Sequence, residues 1–389
     1  MDRALTEKLT ACMEQAVAND EAAGLSLLIR REGVDMAFAA AGWANRAQGR
    51  PIRRDSIFRL YSQSKPVTAA AVMLLVERGQ LDLLDGADKF LPGFRNPQVI
   101  DGDGKISPAL RAPWIWELLS MTAGLSYPDA DPAGQRAAAV FDREQQDLAA
   151  GRPTGTVEFC DRLGREPLAF QPGTHWRYST CADVLGAIVE VVSGRRFGQF
   201  LQEELFDPLG MKDTAFWVPP EKRDRLVTAY EHTPDGLKEY EVRHLSVGPA
   251  DKPPAFESGG AGLFSTLDDY AAFAQMLLDG GEYRGRRILA PATVKAMTQA
   301  QLDGIVRRDM WDNLCGYNYG HLMRVCDRPG ACSVFASPGE YGWDGWLGTY
   351  FINLPREGAT FLMFQNTRDA GTCTVTRKCR NLLAAALEE

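Results

Sequence analysis

The chain has 389 residues, 45% of them hydrophobic and 10% aromatic, with a formal net charge of −8 and a pI near 5.3. That is ample for a large core, and the lack of basic excess argues against nucleic acid and anionic membrane surfaces as partners. The first 20 residues are amphipathic and charged with no apolar signal-type core, and no run approaches about 18 apolar residues, so the sequence predicts a cytoplasmic protein that does not associate with membrane.

In chain order, residues 3–19 read as a helix, and residues 24–31 and 34–42 read as two strands joined by a Glu32-Gly33 turn. The next segment, Phe58-Arg59-Leu60-Tyr61-Ser62-Gln63-Ser64-Lys65-Pro66, opens a helix. Proline is tolerated in the first turn, so Pro66 places the helix start beside Ser62 and Lys65, and Gly79 marks the stop. From Val67 to Val76 the only polar residue is Thr68, the composition of a helix buried on most faces. Ser62 and Lys65, three apart, share a face. A lysine at the edge of a dry core has its ammonium disfavoured, so it acts as a base toward a neighbouring hydroxyl. An isolated S-x-x-K also arises by chance as a capping serine and a surface lysine, so the rest of the chain decides between the two readings.

Residues 114–125 form a short helix ended by Gly124, residues 183–193 a second apolar helix closed by Gly194, and residues 267–278 a third before Gly280-Gly281. Near the end the pattern shortens: residues 333–337, 347–354 and 360–366 read as strands of a meander, followed by a helix to about residue 387. Strands at both ends with helical material between predict an α/β (α+β) fold. One antiparallel sheet, built from both chain ends and flanked by helices, carries an inserted helical lobe. The expected organisation is a single catalytic domain over residues 1–389, with a sheet lobe of about 1–62 and 245–389, a helical lobe of about 63–244, and a cleft between them.

The eight cysteines contain no C-x-x-C and read as free thiols; their spacing argues against a metal site. Neither a phosphate-binding nor a dinucleotide-binding glycine loop occurs, so no cofactor is expected. There are four histidines and no G-x-S-x-G, which leaves a serine–histidine triad poorly supported. The base must be sought elsewhere. Tyr178, after a Pro172-Gly173 turn and just before a buried helix, is the candidate. Tyr127, Trp217, Trp311, Tyr317, Tyr341, Trp343 and Trp346 sit in segments placed to rim a cleft.

These residues together resemble the serine hydrolases of the class C β-lactamase type, which include penicillin-binding carboxypeptidases and family VIII esterases. Phe58-Arg59-Leu60-Tyr61-Ser62-Gln63-Ser64-Lys65 is similar to the family's nucleophile motif. Leu118-Leu119-Ser120-Met121-Thr122-Ala123-Gly124-Leu125 is similar to its L-L-x-x-T-x-G-L signature. Pro172-Gly173-Thr174-His175-Trp176-Arg177-Tyr178-Ser179 is similar to its tyrosine segment. Ser258-Gly259-Gly260-Ala261-Gly262 resembles a fourth block, and Trp343-Asp344-Gly345 stands where the family has its third catalytic motif. Five blocks in order span nearly the whole chain.

The resemblance implies double-displacement acyl transfer, in which Ser62 attacks a carbonyl and water releases the acyl group. Lys65 and Tyr178 would share the base work and titrate as a unit; which of them takes the proton stays open. The oxyanion donors would be the main-chain N–H groups of Ser62 and of Trp346, the latter on the strand after the Trp343-Asp344-Gly345 turn. Gly345 would permit the close approach, and Trp343, Asp344, Gly345 and Thr180 would border the substrate. Two departures bear on specificity. Trp343 replaces the lysine of K-T-G, removing a cation and adding apolar area, and Thr180 replaces a frequent asparagine. The first favours a small neutral ester over an anionic lactam, the second removes an amide that would contact a substrate's amide side chain, and the resemblance implies that esterase-like members tolerate both. The partner is thus a small-molecule ester or amide. The alternatives are a β-lactamase or D-alanyl carboxypeptidase, an acyltransferase, and a non-catalytic sensor, against which Ser62, Lys65 and Tyr178 together argue.

Overall fold

The computed structural model describes residues 1–248 and 250–388, with the side chains at 305 and 388 left aside. The hairpin of Gly24–Arg31 and Val34–Asn45 pairs, through its first strand, with Ala359–Gln365 near the other end of the chain, Leu28 opposite Leu362. Eight strands form one antiparallel sheet in the order Tyr317–Tyr319, Arg324–Cys326, Tyr341–Asp344, Tyr350–Leu354, Ala359–Gln365, Gly24–Arg31, Val34–Asn45, Arg50–Pro51. The two chain ends therefore share one sheet, as the sequence predicts. Among the described residues, none between 63 and 244 joins that sheet; this stretch carries seven of the described α-helices and two small hairpins.

Side chains alternate across a strand, and the sheet sorts its residues accordingly. Leu25, Leu27, Ile29, Ile352, Phe361 and Met363 face Arg3–Ala18 and the terminal helix Thr374–Glu388, meeting Leu9, Met13 and Cys379. Leu28, Phe351, Leu362 and Phe364 face the other way into the main core, which contains the Lys65–Glu77 helix. Every residue of that helix from Lys65 to Leu75 is buried. It packs with Cys181–Ser193 and shares one core with Leu267–Leu278, the last with the same bounds as the sequence reading. No helix among the described residues is long and apolar enough to cross a membrane.

Three expectations are corrected. Residues 333–337 are not a strand; they belong to the connection between Arg324–Cys326 and Tyr341–Asp344. The Ser337 N–H goes to the Glu340 carboxylate at 2.9 Å and Pro338 has no N–H to offer a ladder. Trp343 and Asp344 lie in a strand, and Trp346 in the turn after it, so the strand expected from residue 347 begins at Tyr350. That turn is closed by Gly345 N–H to the Thr349 carbonyl at 2.7 Å and Gly348 N–H to the Gly345 carbonyl at 2.8 Å. The strands Tyr317–Tyr319 and Arg324–Cys326 escape the sequence reading because three residues are too few for a periodicity.

The terminal helix is fastened to the sheet by charge as well as by apolar contact. Arg380 Nη2 donates to both Glu340 oxygens, at 2.9 and 2.7 Å, with Glu340 fully buried and Arg380 nearly so. Tyr317 Oη donates to Glu340 as well, and Arg380 Nη1 donates to Tyr350 Oη at 3.0 Å. Removing one partner strands the other charge in the core. Arg380→Ala is expected to destabilise the fold by about 3–5 kcal/mol in urea titration, whereas a cost below about 1 kcal/mol would mean the pair is not desolvated.

Candidate active site

Ser62 sits in a tight 3₁₀ turn, Tyr61–Ser64, that runs directly into the Lys65–Glu77 helix. Tyr61, fully buried, has φ +46°, a left-handed conformation that costs a bulky residue of order 1–3 kcal/mol. This kink lifts Ser62 out of the line of the preceding Phe58–Arg59 strand. The Gly345–Thr349 turn presses on the same point. Thr349 Oγ1 donates to the Leu60 carbonyl at 2.9 Å, and a Cβ on residue 345 would stand 2.1 Å from that oxygen, so only glycine fits. Trp346 is thereby held beside the nucleophile turn, its ring 5.2 Å from that of Tyr61. Among the described residues its N–H meets no backbone acceptor, as an oxyanion donor requires.

Lys65 is fully buried. Its Nζ lies 3.1 Å from Ser62 Oγ, 3.0 Å from Tyr127 Oη and 2.8 Å from the Gly260 carbonyl. Burial pulls its pKa down to about 7, against the opposing attraction of Asp183. As an amine, Lys65 spends its two N–H groups on Tyr127 and Gly260 and turns its lone pair to Ser62. As an ammonium it donates to all three. The geometry suits both protonation states, and proton transfer from Ser62 needs no rearrangement.

Tyr178 completes the group. Its ring centroid is 4.6 Å from Lys65 Nζ, and Trp343 Nε1 donates to its hydroxyl at 3.0 Å. Burial pushes the Tyr178 phenol well above its ordinary value, and hydrogen bonds with Ser62 and Trp343 counter only part of that rise. It therefore remains a phenol at neutral pH.

The block at Ser258–Gly262 has a definite part. Asp183, buried on the apolar Cys181–Ser193 helix, accepts from Ser258 Oγ at 2.5 Å and from Gly260 N–H at 3.0 Å. This fixes the loop so that the Gly260 carbonyl faces Lys65 and the Gly259 carbonyl accepts from Thr68 Oγ1 at 2.7 Å. Sequence reasoning missed Asp183, although a lone acid in an apolar helix is a visible signal. It placed Tyr127 only as a rim aromatic, and a carbonyl such as that of Gly260 leaves no trace in the letters.

The other expected positions are spread around this centre. Trp343 is buried and contributes its N–H, not an open wall. The Asp344 carboxylate is spent on Arg324, 2.8 Å away. Thr180 is fully buried with its hydroxyl toward the Ser126 carbonyl. Trp311 packs on Tyr178 at 4.9 Å and is half exposed, so it does rim the centre. Tyr317 and Tyr341 do not; their hydroxyls serve Glu340 and Asn353.

The model of the family described as Beta-lactamase matches residues 9–386. Protein Rv1367c of Mycobacterium tuberculosis is 34% identical over 318 residues, covering 79% of this chain and 76% of the relative. Esterase EstB of Burkholderia gladioli is 30% identical over 384 residues, covering 94% and 92%. Among solved structures, EstCE1, a hydrolase with promiscuous acyltransferase activity, superposes with a TM-score of 0.82 at 26% identity, covering 98% of this chain and 99% of that one.

Only the neutral amine can take the Ser62 proton, so kcat/KM for an ester is expected to rise tenfold per pH unit below about 7 and to level above it. A profile flat from pH 5 to 9 would contradict this assignment of the base.

Proposed function

This chain belongs to the Beta-lactamase family, and on that premise we propose that it hydrolyses carboxylic esters of small neutral substrates through an acyl-enzyme on Ser62. It is a serine hydrolase, with an esterase among its relatives. The observation that carries the finer reading is the Trp343–Tyr178 hydrogen bond. A neutral indole N–H occupies the place where lactam-directed relatives present an ammonium. It steadies the phenol without offering a counter-charge to an anionic substrate.

In this mechanism Ser62 Oγ attacks the ester carbonyl as its proton passes to Lys65. The developing oxyanion is held by the N–H groups of Ser62 and Trp346. Tyr178 gives its proton to the departing alkoxide, its phenolate then takes one from the incoming water, and Lys65, 3.1 Å from Ser62 Oγ, returns the first proton to the serine as the acid leaves. Water, activated by the same pair, then releases the acid. The indole N–H matters most while the Tyr178 oxygen carries negative charge, so its contribution falls on the transition state and not on substrate binding.

A second reading has its own support. His244 stacks flat on Trp346 at 4.2 Å and Tyr240 packs edge-on at 5.6 Å, giving the oxyanion side an aromatic surface. Such a surface favours an alcohol over water as acyl acceptor, and acyl transfer is a property of EstCE1. Product analysis with added short alcohols separates transfer from hydrolysis.

Ser62→Ala is expected to lose nearly all turnover of p-nitrophenyl butyrate, and a serine-directed phosphonate is expected to label Ser62. The unmodified enzyme should prefer that ester to a chromogenic cephalosporin by more than a hundredfold in kcat/KM; the reverse preference would replace the esterase reading with a lactamase one. Trp343→Phe keeps the ring and deletes the N–H. It should lower kcat about tenfold with KM little changed, since a hydrogen bond to a charged group is worth about 1.5–3 kcal/mol.

A further inference from the structure

Arg59 stands three residues before Ser62, yet the mechanism makes no use of it. Its Nε is closed off from solvent with no hydrogen-bond partner, and Nη1 makes only a long approach of 3.5 Å to the Val227 carbonyl. The Phe264 ring lies 5.2 Å from the guanidinium carbon. Such a contact returns only part of the hydration an arginine gives up on burial. Burial pulls its pKa down, and no carboxylate acts on it. An arginine keeps its charge under these conditions, so the site holds a cation without a counter-charge.

The open side of Arg59 lines a cavity of about 800 Å³. Three further arginines reach the same space, and two of them are bonded to carbonyls instead of carboxylates: Arg50 to Leu226 at 2.7 Å and Arg223 to Asp251 at 2.5 Å. Of the two acids on the lining, Glu241 is engaged by Arg243 at 2.6 Å, leaving Asp224 as the acid without such a bond. Asn45, Gln48, Gln145, Thr228 and Ser246 add uncharged polar groups, and Leu226, Ala229, Tyr240 and Val247 form an apolar stretch of the wall. Ala229 and Val247 belong to the same cluster as Tyr61 and Leu347, and Tyr240 touches Trp346. The cavity thus shares a wall with the oxyanion side of the candidate site.

We propose that this cavity binds an organic carboxylate, its head on the Arg59 guanidinium and its apolar body along the Tyr240–Val247 wall. A planar guanidinium pairs with a carboxylate through two parallel hydrogen bonds, and the Nη edge of Arg59, weakly held by Val227, supplies the donors on the cavity side. The carboxylate has two possible sources: a remote group on the ester substrate, or a free acid that occupies the cavity separately.

The test is calorimetric titration of the unmodified enzyme with octanoate and with 1-octanol, which share a chain and differ in charge. Octanoate is expected to bind saturably and at least tenfold tighter than octanol. Arg59→Gln should weaken octanoate about tenfold to a hundredfold and leave octanol unchanged. If Arg59→Gln does not fold, Arg223→Gln at the cavity edge carries the same expectation. Equal affinity for the two ligands, or octanoate affinity within twofold of the unmodified enzyme in a folded variant, overturns the proposal. Kinetics then assign the source. If the substrate supplies the group, Arg59→Gln raises KM for p-nitrophenyl hemiglutarate and not for p-nitrophenyl butyrate. If a free acid supplies it, KM for both esters is unmoved and octanoate still binds with an ester analogue in place. An enzyme inactive on every ester would remove the esterase reading while leaving the titration result intact.

Discussion

A lysine taken wholly out of water is the constraint from which this structure follows. Lys65 has no exposed surface, and it lies at the first turn of a helix buried from that residue to Leu75. Desolvation of an ammonium costs far more than one hydrogen bond returns, so the lysine is kept near neutrality and its lone pair becomes available at ordinary pH. Everything around it limits that cost without cancelling it. The Gly260 carbonyl and the Tyr127 hydroxyl accept its protons, and Asp183, near enough to act on Lys65, has its Oδ1 occupied by Ser258 and Gly260. An acid paired directly to Lys65 would restore the ammonium and remove the base.

The fold supplies the positions. The nucleophile turn comes from the N-terminal part of the chain and the Gly345–Thr349 turn from the C-terminal part, and the two meet because the chain ends are neighbours in one sheet. The contact is at backbone level, Thr349 and Gly345 against the Leu60 carbonyl, and so leaves little room for adjustment. A φ of +46° at Tyr61 is held by complete burial of its side chain, which ties the reactive kink to the surrounding core.

Much of this was legible in the letters, and for physical reasons. A proline at the second helical position, one polar residue in ten and a glycine stop describe a buried helix by themselves, and Ser62 and Lys65 fall where that helix begins. The hairpin and the Leu267–Leu278 helix are long enough for their periods to show. What was not legible depends on contacts between distant segments. Whether Trp343 forms a wall or donates its N–H to Tyr178 turns on a contact between residues 165 positions apart. Asp344 is consumed by Arg324, a residue in a three-residue strand that no periodicity reveals. Thr180 lies beside Tyr178 in sequence yet faces the Ser126 carbonyl, because the helix beginning at Cys181 turns it inward.

The claim on which the account rests is the protonation state of Lys65, and it is open to direct observation without any substrate. Lysine-selective ¹³Cε labelling followed by NMR across pH 5 to 11, with the resonance assigned by its loss in Lys65→Met, reads that state at the atom concerned. The account predicts a midpoint about 7, well below the ordinary lysine value of about 10.4. A midpoint at 9 or above would show Lys65 to be an ammonium at working pH and would move the base to another group.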